Sequence, residues 1–339
     1  MKTNKFYGLK NKRKDDSNTA LIIGLAAAGI AAGFAAASHT LNKILVNEAF
    51  SRGGSRLTKK VTPLISGDKV SRKDNDDLQK YIDDLKSKDI STVEIISYDS
   101  TRLTGHWYEC ENAKRVIVAM HGWRSDWLKD FAPIAKFWHD NGCSVLFAEQ
   151  RGQGESDGEN ISFGMTERFD CREWVNWVNK KTNYEYPVYL AGVSMGAATV
   201  LMTAGLRLPE NVRGIIDDCG YTSIEGVWEH ITNKNLHMSY AIRKYDMDSL
   251  CRKKIGFGAS EINTTDIMKE NKIPVLFIHG SADRFVPIEM TYKNYLACSA
   301  PKRLLVVPGA SHAMSYITDS EAYERALKEF WDSFDNAKN

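Results

Sequence analysis

The chain of 339 residues has the composition of a globular protein, with 43% hydrophobic and 26% charged residues. A chain of this length can bury one large hydrophobic core or two smaller ones, which argues against intrinsic disorder. Its 45 basic and 43 acidic side chains leave a formal net charge of only +2. Such an even balance lacks the positive field that attracts nucleic acid, so we expect no nucleic-acid partner.

The amino-terminal segment combines a basic stretch with an uncharged one. Residues 1–19 carry six lysines and arginines, and the nineteen residues from Ala20 to Ser38 carry no charge. That length just spans a bilayer, which predicts a transmembrane anchor over residues 20–41. Two alternatives stay open because the stretch is rich in Ala and Gly: a signal peptide cleaved at the small residues 35–37, and a soluble Ala-rich helix.

The distribution of positive charge gives such an anchor an orientation. The basic residues of 1–19 favour a cytoplasmic amino terminus. We therefore expect a single-pass protein of the cell membrane whose main domain is extracellular, or a secreted domain if the segment is cleaved. The polar residues 42–90 are predicted to form a helical connecting arm, which in its simplest interpretation is a solvated spacer. Residues 91–339 are predicted to form one folded domain.

The cysteines and motifs of the sequence indicate whether the protein needs disulfides, a metal ion or an organic cofactor. Its six cysteines include no C-x-x-C pair, so the sequence predicts free thiols rather than a disulfide framework. An H-E-x-x-H motif, spaced Cys and His ligands and phosphate-binding glycine loops are also missing from the sequence. We therefore predict that the protein requires no metal ion and no organic cofactor.

From Ser91 onward, short β-branched runs alternate with amphipathic stretches, a pattern typical of an α/β fold with a mostly parallel sheet flanked by helices. The central runs are apolar throughout, as expected for strands covered on both faces. The first two runs are predicted to form an antiparallel hairpin at the sheet edge. The predicted strands are Val93–Ser97, Thr104–Tyr108, Val116–Met120, Val145–Glu149, Val188–Ala191, Gly214–Asp218, Val275–His279 and Arg303–Val307. The predicted helices are Trp127–His139, Thr166–Asn179, Ala197–Leu208, Ile288–Ala297 and Ser320–Phe334.

One interval breaks this alternation. Residues 224–271 contain no strand pattern and are predicted to form a helical insertion between the sixth and seventh strands. An insertion at that point lies over the carboxyl ends of the strands, where α/β sheets bind their ligands. We interpret it as a lid over a functional site, the alternative being a helix pair that only packs on the domain.

The most specific motif is the sequence GVSMG at Gly192–Gly196, which follows an apolar strand and opens a helix. A G-x-S-x-G pattern in this context places the serine on a sharp strand-to-helix turn, with its hydroxyl above the sheet. Only small flanking residues permit such a turn, and the helix amino terminus that follows favours an anion. We therefore predict that Ser194 is a nucleophile.

A serine hydroxyl needs a base to take its proton and a third group to orient that base. In chains with this nucleophile turn, the acid and then the histidine follow the serine. That order predicts Asp283, beyond the strand ending at His279, as the acid and His312, in the loop after the last strand, as the general base. Asp218, at the end of the sixth strand, is a rival acid.

The anion formed during attack on a carbonyl needs two backbone N–H donors. One is the amide of the residue after the nucleophile, which is Met195. The other comes from the loop after the third strand, where His121-Gly122-Trp123 follows Met120. We predict that the amides of Trp123 and Met195 form the oxyanion hole.

Together these motifs resemble a known family, the bacterial α/β-hydrolases of the membrane-associated or exported, largely uncharacterised kind. The resemblance covers about Val93 to Phe334 and implies the α/β-hydrolase fold with a Ser-His-Asp triad. Where relatives often have histidine in an Arg-Gly-His-Gly turn, this chain has Gln153, which leaves the catalytic roles intact but changes the hydrogen-bonding groups of that loop. The matching motifs are His121–Trp123, Arg151–Ser156, Gly192–Gly196, Asp217–Tyr221, His279–Asp283 and the loop bearing His312.

These predictions indicate a serine hydrolase that cleaves small-molecule or lipid-like carboxylic esters through an acyl-enzyme on Ser194. A serine peptidase or an acyltransferase on the same scaffold is the alternative among enzymes. A non-catalytic, membrane-tethered binding protein is the alternative from another class. The complete triad argues against it, because a fold kept only for binding has no chemical need for all three groups.

Overall fold

A computed structural model of the protein describes residues 35–53 and 72–335. The predicted basic segment 1–19 and most of the predicted anchor 20–41 lie outside the described residues, as do residues 54–71 of the predicted arm. Within the two described ranges, no helix has the length and apolar character needed to cross a membrane. The anchor therefore stays a prediction.

The centre of the fold is one eight-stranded sheet, and its strands agree with the predicted ones to within two residues at each end. They are β1 (Ser91–Ile96), β2 (Arg102–Tyr108), β3 (Arg115–Met120), β4 (Cys143–Ala148), β5 (Val188–Val193), β6 (Val212–Asp218), β7 (Val275–Gly280) and β8 (Lys302–Val307). Their spatial order is β1-β2-β4-β3-β5-β6-β7-β8. Strand β2 is antiparallel to both of its neighbours, β1 and β4, whereas β3 to β8 are parallel to one another. The predicted edge hairpin and mostly parallel sheet are thus confirmed.

Helices cover both faces of this sheet. They are α1 (35–50), α2 (Arg72–Lys86), α3 (Trp127–Asp140), α4 (Glu167–Lys181), α5 (Met195–Thr203), α6 (Ile224–His230), α7 (Tyr240–Ile255), α8 (Thr264–Glu270), α9 (Glu289–Ala297), α10 (Ser315–Thr318) and α11 (Ser320–Phe334). A short π-helical segment, Ile231–Asn235, follows α6. The five helices predicted outside the insertion are all present, with one of them shortened.

Alternate residues of the central strands face opposite helical layers, as the pleat of a strand requires. On β3, Ile117 and Ala119 belong to a hydrophobic cluster with residues of α2, α3 and α11. Val116 and Val118 belong to a second cluster with residues of α4, α5 and α8. Because both faces are covered, all six residues of β3 are buried, which explains the continuous apolar runs of the sequence.

Helix α5 is shorter than the predicted helix, because it ends at Thr203 and not at Leu208. Glycine is a poor helix former, and Gly205 follows directly on the last turn. The amides of Gly205 and Leu206 donate to the carbonyl oxygens of Met202 and Thr203, at 3.2 and 2.9 Å. These tighter bonds, each spanning three residues, replace the helical ones and end α5.

The interval from 224 to 271 contains α6, α7 and α8 and no strand, as predicted. Its longest helix, α7, ends at Gly256, whose φ of 82° is a conformation that favours glycine. The insertion contributes Trp228 and Met247 to a third hydrophobic cluster, which also contains Met195, the residue after the predicted nucleophile. The insertion therefore lies against the predicted site.

Helix α1 belongs to the folded domain and not to a solvated arm. Its side chains Val46 and Phe50 are buried in the third cluster, with Phe50 fully inaccessible. Phe50 makes edge-to-face contacts with Phe163 and Trp228, with ring centroids 5.1 and 5.4 Å apart. The prediction of a solvated spacer is thus wrong for residues 42–50, because one face of this segment, with Asn42, Val46 and Phe50, is buried against distant parts of the chain.

Two isoleucines on strands provide a test of this core. Ile117 is fully buried on β3, whereas Ile96 on the edge strand β1 is 65% exposed. We expect Ile117→Ala to lower the free energy of unfolding by about 2–5 kcal/mol, because it leaves a cavity among close-packed side chains. Ile96→Ala is the matched control and should change the free energy of unfolding by about 0.5 kcal/mol or less. Urea unfolding followed by circular dichroism measures both, and equal effects would contradict the assigned burial.

Candidate active site

Ser194 occupies a strained turn between β5 and α5. Its φ of 55° and ψ of −112° lie outside the conformations that residues with a side chain usually adopt. A Cβ atom on Gly192 would collide with the backbone of Gly196, and one on Gly196 would collide with the Met120 carbonyl oxygen. The two glycines are therefore required by close backbone contact, and the Ser194 amide donates to the Asp218 carbonyl oxygen at 2.8 Å.

The structure brings the three predicted residues Ser194, Asp283 and His312 together. The His312 Nε2 atom lies 2.8 Å from Ser194 Oγ, and its Nδ1 atom lies 2.7 Å from Asp283 Oδ2. With the proton on Nδ1, the ring donates to the carboxylate and accepts from the serine hydroxyl. Asp283 follows β7 and His312 follows β8, so the carboxyl ends of parallel strands deliver both groups to the edge of the sheet where β5 delivers Ser194.

The Asp283 carboxylate is held ionised and fixed in place. Burial acts to raise its pKa, but the charges and hydrogen bonds of His312 and His279 outweigh burial and hold the pKa below its ordinary value. Its Oδ1 atom accepts from the amides of Phe285 and Val286, each at 2.9 Å. The carboxylate thus keeps its charge at neutral pH and has little freedom to rotate away from His312.

His279 is a second histidine on the same carboxylate. Its Nε2 atom lies 3.1 Å from Asp283 Oδ2 and 2.9 Å from the Val286 carbonyl oxygen, and its Nδ1 atom lies 2.6 Å from Thr291 Oγ1. The ring is completely buried. His279 therefore helps to orient the Asp283 carboxylate, in agreement with its position at the end of β7.

The rival acid Asp218 has a different partner. Its Oδ1 atom accepts from the Ser315 hydroxyl at 3.0 Å. Burial raises the pKa of Asp218 to about 6, against the lowering effects of Ser315 and nearby histidines. Asp218 therefore supports the loop that follows His312, and Asp283 is the carboxylate that hydrogen bonds directly to the His312 ring.

The loop between β3 and α3, residues 121–125, lies against the Ser194 turn. A Cβ atom on Gly122 would stand 3.5 Å from Ser194 Cβ. The Gly122 amide donates to Asp130 Oδ2 at 2.6 Å, and the Arg124 amide donates to Gln153 Oε1 at 2.6 Å. Between these two occupied donors, the Trp123 amide has no acceptor within the described ranges, as an oxyanion donor requires.

Met195 supplies the other predicted donor. It is the first residue of α5, where backbone N–H groups lack acceptors inside the helix. The aligned peptide dipoles of α5 also favour negative charge at this end. The structure thus places both predicted oxyanion donors, Trp123 and Met195, on segments in contact with the Ser194 turn.

Three residues that support the site were not predicted. Asp130 holds the loop 121–125 through its bonds to the Gly122 amide and to Ser125 Oγ, the latter at 2.5 Å. Gln153 holds Arg124, and Thr291 holds His279. Gln153 departs from the histidine of related turns, which was the only sign in the sequence that this position has its own role.

Cys219 adds a thiol to the site. Its sulfur, one oxygen of Asp283 and one nitrogen of His312 all lie within 4.8 Å of one another, which is the spacing of a metal-binding group. Burial raises the pKa of Cys219 well above its ordinary value. Burial thus favours the neutral thiol. The other two members of this group, Asp283 and His312, are joined by the 2.7 Å hydrogen bond between Oδ2 and Nδ1.

Comparisons with known proteins agree with this architecture. The profile of the family described as serine aminopeptidase, S33, matches residues 111–225, which include Ser194 but end before Asp283 and His312. The uncharacterised protein YqkD of Bacillus subtilis is 26% identical over 239 residues, which cover 69% of this chain and 77% of that protein. Human ABHD12B is 30% identical over 200 residues, which cover 56% of this chain and 52% of that protein.

Solved structures extend the likeness to the whole domain. The esterase Pf2001 of Pyrococcus furiosus matches with a TM-score of 0.59 at 17% identity, covering 79% of this chain and 98% of that one. The α/β-hydrolase GrgF of Penicillium sp. sh18 matches with a TM-score of 0.55 at 17% identity, covering 73% and 99%. At these identities the likeness shows the fold. Together with the eight-stranded sheet, it shows that the chain has the α/β-hydrolase fold, and the family profile matches within that fold over residues 111–225.

Proposed function

We propose that the protein is a serine hydrolase that cleaves carboxylic esters through an acyl-enzyme on Ser194. The observation that carries the proposal is the continuous hydrogen-bond chain from Ser194 Oγ through the His312 ring to Asp283, with links of 2.8 and 2.7 Å. A hydroxyl, an imidazole and a carboxylate joined in this way can make the hydroxyl nucleophilic. The strained turn that carries Ser194 supports the same role.

The proposed reaction follows from these contacts. Ser194 Oγ attacks the ester carbonyl carbon while His312 Nε2 takes its proton, and the negative oxygen is stabilised by the amides of Trp123 and Met195. His312 then donates that proton to the leaving alcohol as the carbon–oxygen bond breaks. Water, deprotonated by His312, attacks the acyl carbon, and His312 returns the proton to Ser194 Oγ as the bond between that oxygen and the acyl carbon breaks and the acid is released. Asp283 stabilises the positive imidazolium ring at each stage.

The surroundings of the triad favour an apolar acyl or alcohol group. The Phe285 ring lies edge-on to the His312 ring, with centroids 4.9 Å apart. Trp123 packs on the third cluster beside Phe163, and Met195 is a buried member of that cluster. Apolar surface around a few convergent polar groups is typical of small-molecule sites. We therefore propose a small-molecule or lipid-like ester as substrate, with the insertion at 224–271 acting as a lid.

A peptidase is the second candidate, since the profile that matches residues 111–225 is named for serine aminopeptidases. An aminoacyl p-nitroanilide distinguishes the two functions, because its amide bond reacts too slowly to be cleaved by an enzyme built only for esters. We expect hydrolysis of p-nitrophenyl butyrate and no measurable hydrolysis of an aminoacyl p-nitroanilide. Hydrolysis of the anilide that is lost in Ser194→Ala would favour the peptidase.

Replacement of the nucleophile is the first test. We expect Ser194→Ala to lower kcat for p-nitrophenyl butyrate by roughly 10⁴-fold or more, because no other group can form the acyl-enzyme. The variant should also lose labelling by a fluorophosphonate probe while keeping the circular dichroism spectrum of the wild type. Ester hydrolysis that persists in Ser194→Ala would contradict the role of the serine, and a folded wild type without labelling would favour a binding protein.

The two buried acids provide a matched pair. We expect Asp283→Asn to lower kcat by roughly 10⁴-fold, because an amide neither keeps the His312 tautomer nor stabilises its positive charge. Asp218→Asn makes the same chemical change in the carboxyl that accepts from Ser315, and we expect its effect on kcat to stay within about tenfold. Steady-state kinetics of both variants measure the difference. If Asp218→Asn caused the larger loss, the assignment of the acid would be reversed.

A further inference from the structure

The carboxyl end of α1 is held by side chains of the loop 121–125. Trp123 Nε1 donates to the Ala49 carbonyl oxygen at 2.9 Å. Arg124 Nη2 donates to the carbonyl oxygens of Glu48 and Ser51, at 2.6 and 2.9 Å. The last carbonyl groups of a helix have no partners inside the helix, and the helix dipole makes them attractive to a cation. Two consecutive residues of this loop therefore cap α1.

Arg124 is also fixed on its backbone side, away from α1. The Arg124 amide donates to Gln153 Oε1, so its backbone is tied to the turn after β4 while its guanidinium is tied to α1. Arg124 adopts a φ of 53°, a conformation that residues with a side chain rarely adopt without support. The Arg124 guanidinium also lies over the Trp123 ring, 5.1 Å from its centroid. The conformation of the loop thus depends on contacts at both ends of one arginine.

Helix α1 is itself anchored independently of this loop. Arg243 Nη1, on α7, donates to Ser38 Oγ near the start of the described helix and to Asn42 Oδ1 in its middle, at 3.2 and 2.7 Å. Asn42 Nδ2 also donates to Asp246 Oδ2 of α7 at 2.7 Å. At its end, Phe50 is buried against Phe163 and Trp228. The Ile161 amide also donates to the Phe50 carbonyl oxygen at 2.6 Å. A helix fixed at both ends can serve as a rigid support.

We propose that α1 is a positioning element of the active site: its carboxyl-terminal carbonyl groups hold the side chains of Trp123 and Arg124, and thereby aim the Trp123 amide at the oxyanion. This inference rests on the proposed hydrolase function, because only that chemistry develops a negative oxygen beside Ser194. A displacement of about 1 Å at a catalytic donor can lower the rate by roughly 10²-fold. Arg124 and the Trp123 indole are therefore positioning groups, and the Trp123 backbone is the donor.

The kinetic test uses the full chain and p-nitrophenyl butyrate. We expect Arg124→Met and Trp123→Phe each to lower kcat by roughly 10–100-fold with KM changed by less than about threefold, because an oxyanion donor acts mainly in the transition state. Trp123→Phe keeps an aromatic ring and removes the indole N–H together with one of the two fused rings. Arg124→Lys retains one cationic donor toward α1 and should recover part of the lost kcat, which a defect in packing alone would not produce.

Arg243→Met is the matched control, because it removes a guanidinium bond to the same helix at the end far from the loop 121–125. We expect its kcat to remain within about twofold of the wild type. An equal loss of kcat in Arg243→Met and Arg124→Met would overturn the proposal, because α1 would then support the domain as a whole and not the loop 121–125 in particular. Unchanged kcat in both Arg124→Met and Trp123→Phe would overturn it as well.

Hydrogen exchange provides a readout that does not depend on hydrolysis. We expect faster amide exchange in Arg124→Met over residues 120–126 and 45–52, and no change there in Arg243→Met. Unchanged exchange in Arg124→Met would refute the link between α1 and the loop even if the wild type hydrolyses esters. If the wild type hydrolyses no ester while the exchange pattern appears as expected, the link stands and the proposed hydrolase function fails.

Discussion

The backbone conformation of Ser194 is the constraint on which the rest of the site depends. A φ of 55° there requires glycine at 192 and 196, because any side chain would meet backbone atoms of the turn or of β3. The cost of this conformation is offset by buried strands on either side of β5 and by the start of α5. This conformation places the hydroxyl at a helix amino terminus, 2.8 Å from His312 Nε2 and beside the loop that bears Trp123.

The order of the strands explains how distant residues reach this hydroxyl. Asp283 and His312 follow β7 and β8, which lie in succession beyond β6 on one side of β5, whereas the loop with Trp123 follows β3 on the other side. The proposed nucleophile Ser194 is therefore approached by the proposed base from one side of β5 and by the proposed oxyanion donor from the other. This separation lets each group be fixed by its own partners: His279 and backbone amides hold the acid, and Asp130, Gln153 and α1 hold the loop.

Local patterns were sufficient to predict the sheet, most helices and the residues that meet at Ser194. Strands buried on both faces appear as apolar runs, and the polar residues directly after them mark the functional edge. Long-range contacts explain what the sequence did not reveal. The burial of Phe50 depends on aromatic rings of Phe163 and Trp228, and the role of Gln153 depends on an amide 29 positions earlier. No periodicity in residues 42–50 encodes those partners, so a solvated arm was the simpler expectation.

The contacts of α1 also have a consequence for biosynthesis. Asn42 hydrogen bonds to Asp246, which lies 204 positions later, so α1 leaves the ribosome long before the helix that receives it exists. Domains generally fold as units during translation, beginning from the amino terminus. Here the first described helix must wait, with Phe50 still accessible to other chains or to chaperones, until the insertion has been made. Assembly of the loop that bears Trp123 is thereby delayed until most of the polypeptide has emerged.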